Sequence, residues 1–110
     1  MKTCIGKRRA LSDGAGLRFE LENSPDDAAG NGFVVEFESR VYAYENRCPH
    51  LGVELDWAPG VFFNAAREYL VCSTHGARFE PDTGKCISGP CAGQSLIALE
   101  IFEEKDKLYL

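Results

Sequence analysis

Apolar and polar residues alternate with period two along most of the chain. In Leu17-Arg18-Phe19-Glu20-Leu21-Glu22 every second residue is apolar and the others are charged, the pattern of a strand with one buried face. Phe33, Val35 and Phe37 alternate with Val34, Glu36 and Glu38, and after Ser39-Arg40 the run Val41-Tyr42-Ala43-Tyr44 completes a predicted hairpin. Tyr69 to Cys72 reads as a short apolar strand and Leu96 to Phe102 as the longest one. Lys107 to Leu110 is its return after a polar turn at Glu104 to Asp106. Lys2 to Ile5 is a weaker first strand. Loops are predicted over residues 23–32, 48–56 and 57–66, at Thr83-Gly84-Lys85 and at Ser88-Gly89-Pro90, where Gly, Pro, Asn and Asp gather. No window holds helical spacing for the length of a helix. The pattern predicts an all-β fold, a small antiparallel sandwich or partial barrel.

A length of 110 residues predicts a single domain, 1–110, with one core. The formal net charge of -5 argues against a nucleic-acid partner, which needs clustered Lys and Arg. The one basic run, Lys7-Arg8-Arg9, reads as a solvated turn. No apolar stretch approaches the ~18 residues of a membrane span, and no signal-peptide core opens the chain, so a soluble, cytoplasmic protein with no membrane partner is expected. The five cysteines are odd in number, which speaks for reduced thiols or metal ligands rather than a disulfide framework. Cys86 and Cys91 are expected as free thiols and Cys4 as a small buried hydrophobe.

Cysteine and histidine meet in two places, Cys48-Pro49-His50 and Cys72-Ser73-Thr74-His75, and these use both histidines of the chain. Each place supplies one thiolate and one imidazole near a predicted strand end. Two metals suit such a set. One zinc ion takes all four side chains in a tetrahedral structural site. Alternatively, two sulfide-bridged irons take two Cys on one iron and two His on the other.

Cys48-Pro49-His50-Leu51-Gly52 followed by Cys72-Ser73-Thr74-His75-Gly76 resembles the paired cluster-binding motif of Rieske iron–sulfur proteins. Phe79, Asp82-Thr83-Gly84 and Gly89-Pro90 resemble the stretch downstream of the second motif in that family. The resemblance extends over nearly the whole chain and is to the small Rieske ferredoxins of ring-hydroxylating oxygenases and the small subunit of nitrite reductases. It implies a Rieske-like fold whose base carries a cluster-binding subdomain of two loops, about residues 46–91. It implies one [2Fe-2S] cluster with Cys48, His50, Cys72 and His75 as iron ligands. Leu51, Gly76, Ala77, Phe79, Gly89 and Pro90 would surround it, with Pro90 in the covering loop. The segment between the motifs is longer than is usual among the ferredoxins, with the excess placed at Trp57 to Ala66. Trp57, Phe62 and Phe63 there read as core packing, with a docking surface as the alternative.

Charge explains the mixed ligation. Two ferric ions, two sulfides and two thiolates sum to zero, whereas four thiolates would make the site an anion that resists a further electron. Imidazole for thiolate therefore raises the potential, to about −150 to +300 mV against about −400 mV for all-Cys plant-type clusters. High-potential Rieske proteins carry Ser two residues and Tyr four residues after the second ligand His. Here those positions are Ala77 and Phe79, so the low end of the range is expected. The implied function is a one-electron carrier between a flavin or ferredoxin reductase and an oxygenase or similar reductase. A nitrite reductase small subunit is the alternative within the family, and a zinc-stabilised binding module is the alternative outside it. Catalysis by this chain is not expected, because no His is left to hold a substrate iron. Glu54 and Asp56 read equally as solvated charges or as guides for a basic partner.

Overall fold

The computed structural model describes residues 4–11, 16–20, 31–47, 49, 55–56, 61–64, 66–72, 76–89 and 92–110. In chain order they form β1 (Cys4–Lys7), a 3-10 turn (Arg8–Leu11), β2 (Leu17–Glu20), β3 (Asn31–Phe37), β4 (Arg40–Glu45) and β5 (Leu70–Val71). β6 (Arg78–Phe79), β7 (Cys86–Ser88), β8 (Ala98–Leu99), β9 (Phe102–Glu104) and β10 (Lys107–Tyr109) complete the series. They pair antiparallel into sheets of order β2-β3-β4-β8, β1-β10-β9 and β5-β6-β7. The all-β expectation holds, with open sheets rather than a closed barrel.

The period-two alternation of β3 decides how these sheets stack. Phe33 and Val35 enter a buried cluster with Tyr44, Leu55, Phe62, Leu70, Cys72, Ala77, Phe79, Cys86 and Leu96. Val34 points the other way and packs with Leu11, Ala43 and Leu108. The four-stranded sheet is therefore a middle layer with apolar contacts on both faces, the β5-β6-β7 sheet on one side and the β1-β10-β9 sheet on the other. The ring of Phe62 stacks on Phe33 with centroids 4.1 Å apart, so this residue of the longer inter-motif segment is core. Trp57 lies outside the described residues.

Three expectations are corrected. The run Leu96 to Phe102 is not one strand: β8 ends at Leu99 in the middle sheet and β9 begins at Phe102 in another. Leu96 belongs to one buried cluster and Leu99 and Ile101 border the other, so its apolar residues serve two layers. Cys4 is exposed, because the alternation of β1 gives the inward position to Ile5. The basic run is not merely solvated. Arg8 Nε donates to Glu36 at 2.8 Å, Nη1 to Glu103, and Nη2 to the Ser39 carbonyl at 2.7 Å, while Arg9 meets Asp106 at 2.8 Å. The turn thereby fastens two hairpins together.

One buried hydrogen bond ties the middle sheet to the smaller sheet of β5, β6 and β7. The Tyr44 hydroxyl donates to the Pro81 carbonyl at 2.7 Å, and burial pushes the phenol pKa up, so the proton stays in place. At Gly84, in the same turn, a Cβ would stand 2.7 Å from the Tyr44 ring, so the turn closes on the ring only with glycine there. Tyr44→Phe leaves the carbonyl buried without its donor and is expected to cost about 1–3 kcal/mol in urea unfolding, without altering the sheets seen by circular dichroism.

Candidate metal centre

Cys72 directly follows β5 and is fully buried in the cluster beneath the middle sheet. Two backbone hydrogen bonds pinch off the segment after it. Gly76 N–H donates to the Cys72 carbonyl at 2.8 Å, and Cys72 N–H donates to the Ala77 carbonyl at 2.9 Å. Cys72 is thus fixed against Gly76 and Ala77. Gly76 has φ +70° with nothing within 4 Å of a Cβ, so glycine is required there by backbone conformation alone. From Ala77 the chain enters β6, turns through 80–85, and returns in β7, whose Phe79↔Cys86 pairing sets two more cluster members side by side.

The end of β7 runs close against Ala77. Gly89 has φ +100°, and a Cβ on it would lie 2.8 Å from Ala77 Cα. That contact is with backbone, which cannot swing aside. The loop expected to cover the site begins at this close approach; Pro90 and Cys91 lie outside the described residues. Cys86 is buried, and its thiol donates to the Ser88 carbonyl at 3.2 Å.

The first motif starts at the end of β4. Asn46 is buried and closes the segment that comes after it: its Oδ1 accepts from Leu55 N–H at 2.8 Å. Its Nδ2 donates to Asp56 Oδ1 at 2.9 Å and to Asn31 Oδ1 at 2.8 Å. The carboxylate of Asp56 is fully buried and faces Arg18 Nη1 at 3.6 Å. Asp56 is therefore neither a solvated charge nor a guide for partners, which corrects the expectation from sequence. Leu55 packs in the same cluster as Cys72, Ala77 and Phe79, so the residue that Asn46 holds and the second turn share one core.

Of the residues expected at the site, Cys72, Gly76, Ala77, Phe79 and Gly89 are brought together around the second turn. Cys48, His50, Leu51 and His75 lie outside the described residues, as does Glu54, and among the described residues no three metal-ligating side chains gather. Sequence reasoning misses Asn46 and Arg18 and misassigns Asp56. An Asn two positions before the first Cys was the one available sign. A separate open groove of about 400 Å³, lined by Phe37, Glu38, Arg67, Glu68, Tyr69, Glu80, Pro81 and Asp82, contains none of the candidate ligands.

The apolar surround restricts which donor chemistry fits. Cys72 offers a soft thiolate among Leu55, Ala77 and Phe79, where a site of zero net charge is tolerated and a bare charge is not. A mixed thiolate–imidazole [2Fe-2S] centre meets that condition. So does a zinc ion with two thiolates and two neutral imidazoles, and the choice falls to the family. Residues 2–103 match the Rieske [2Fe-2S] domain. The chain belongs to the Rieske [2Fe-2S] family. A Rieske domain binds one two-iron, two-sulfide cluster and uses it for one-electron transfer.

Solved structures agree with this Rieske assignment in fold. The ferredoxin of carbazole 1,9a-dioxygenase from Nocardioides aromaticivorans IC177 superposes with a TM-score of 0.76 at 22% identity, covering 99% of this chain and 95% of that one. A chain of the complex of reduced oxygenase and oxidized ferredoxin in carbazole 1,9a-dioxygenase gives 0.75 at 20% identity, covering 98% and 90%. The plasma-membrane Rieske protein of Synechocystis PCC 6803 gives 0.69 at 24% identity, covering 96% and 95%. No curated protein matches the chain. Among the described residues of this Rieske domain, no helix is long and apolar enough to cross a membrane.

Proposed function

We propose that this Rieske domain is a cytoplasmic, low-potential electron carrier that takes electrons from a flavin or ferredoxin reductase and passes them to an oxygenase. In this reading residues 1–110 are one domain, Cys48 and Cys72 hold one iron, and His50 and His75 hold the other. The reading is carried by the near end-to-end fit to a dioxygenase ferredoxin, together with the likeness to a chain from an oxygenase–ferredoxin complex. It is consistent with the histidine supply, since both are spent on the cluster and none serves as an acid–base catalyst. When bound, the cluster accepts and releases a single electron. The chain's own residues do the rest: Cys72 holds its end from within the apolar core, and the approach of Gly89 to Ala77 draws the β7 end over the turn. Pro49, within the first motif, is half-buried and offers apolar surface for a transient encounter.

The low potential rests on Ala77 and Phe79, both fully buried and neither able to donate a hydroxyl proton to a sulfur. Electrochemistry of the holoprotein is expected to give a midpoint in the lower half of the Rieske range, and a value above about +100 mV contradicts it. Ala77→Ser is expected to raise the midpoint. One added hydrogen bond to the reduced site, worth about 1.4 kcal/mol more there than in the oxidised site, corresponds to about 60 mV for one electron.

The carrier role is tested by single-turnover mixing. The dithionite-reduced protein, mixed with an oxidised Rieske dioxygenase, should be reoxidised within the enzyme's turnover time. Reoxidation no faster than in the absence of an oxygenase overturns the role.

A further inference from the structure

We propose that Asn46 is the positioning residue of the first ligand motif, clasping the two ends of segment 47–54 to the middle sheet so that Cys48 and His50 are presented in one arrangement. The proposal rests on the reading of those two residues as iron ligands. Asn46 stands at the end of β4, and its backbone N–H donates to the Asn31 carbonyl at 2.7 Å, continuing the sheet by one step. Its side chain then spans to the far end of the segment, to Leu55 N–H and to the Asp56 carboxylate. Asn31 on β3 and Arg18 on β2 hold the other sides of the same polar knot.

The amide is oriented by chemistry: two oxygens face its nitrogen and one N–H faces its oxygen. The Asn46 amide and the Asp56 carboxylate are both buried, and among the described residues no buried side-chain polar atom lacks a hydrogen-bond partner. A fully satisfied buried network of this kind specifies a single geometry, and the partners that orient a metal's ligands govern retention of the metal.

Carboxylate for amide breaks the complementarity with almost no change of shape. Asn46→Asp still accepts from Leu55 N–H but sets an oxygen against the Asp56 carboxylate. Iron loss from the reconstituted holoprotein to a ferrous chelator is expected to speed up about 10- to 100-fold, with a broadened EPR spectrum of the reduced state. The double exchange Asn46→Asp with Asp56→Asn restores one donor and one carboxylate to the pair. It is expected to bring the rate back to within about 3-fold of wild type, as coupled neighbours in a mutant cycle do. Arg8→Ala is the control: it loses the Glu36, Ser39 and Glu103 contacts elsewhere in the fold and should lower the melting temperature without changing the release rate or the spectrum.

N46D with wild-type release and spectrum overturns the proposal. So does an exchange variant that folds but loses iron as fast as the single variant, or one that does not fold. If N46D itself fails to fold, the exchange variant decides by the same criteria. Wild-type protein that carries no iron overturns the ligand reading beneath the proposal instead, so the two failures are distinguishable.

Discussion

Cys72→Ser is expected to remove the red-brown colour and both irons while leaving the sheets folded. Cys72 sits fully buried directly after β5, and its own N–H and carbonyl are hydrogen-bonded to Ala77 and Gly76, so its backbone is fixed against the core. A serine hydroxyl has nearly the same shape but stays protonated and is a hard donor. It cannot supply the thiolate charge that brings the two-iron core to neutrality. Cys86→Ser is the internal comparison. That thiol lies in the same buried cluster but already donates to the Ser88 carbonyl, and a serine hydroxyl can do the same. Iron and acid-labile sulfide per chain are expected to fall to near zero in the first variant and to stay at wild-type level in the second. Full iron in the first, or equal loss in both, contradicts the assignment of Cys72.

Gly89→Ala is expected to be the most damaging single methyl group in the region. Its Cβ meets Ala77 Cα at 2.8 Å, and φ +100° is a conformation L-residues rarely adopt. The strain of the dihedral and the collision add, at about 1–3 kcal/mol for the dihedral alone. Opening the approach of β7 to the second turn should also hasten iron loss to a chelator about 10-fold. Gly76→Ala separates the two causes: φ there is also positive, but open space surrounds the Cβ, so only the backbone cost of about 1 kcal/mol is expected. Urea unfolding and chelator challenge on both variants check this. Equal behaviour of the two, or a Gly89→Ala protein as stable as wild type, contradicts the idea that β7 closes the site.

The alternation of Phe33, Val35 and Tyr44 made the central hairpin legible because each residue has one face to choose. Leu96 to Phe102 misled for the opposite reason. An apolar run broken only by Glu100 does not say which of its residues are buried or in which layer, and here Ile97 and Phe102 are exposed and the chain changes sheets between Leu99 and Phe102. The exposure of Cys4 is not legible because a four-residue edge strand has too few positions to reveal its parity.

At the centre itself, spacing carried the chemistry: Cys and His at fixed short intervals are a chemical pattern that survives without any fold. Asn46 and Asp56 carried no such pattern. Their role depends on a segment returning to its own starting point, and on Asn31 and Arg18 arriving from other strands. The ion pairs of Arg8 are not legible on similar grounds, since Glu36 and Glu103 lie far from it in sequence.

The measurement that bears most directly on the account is pulsed EPR of the dithionite-reduced protein grown with ¹⁵N-labelled histidine. Two directly bound histidine nitrogens coupled to the unpaired electron, in protein containing two irons and two sulfides, are the predicted result. A spectrum with no such coupling, or an EPR-silent protein holding one zinc, would contradict it.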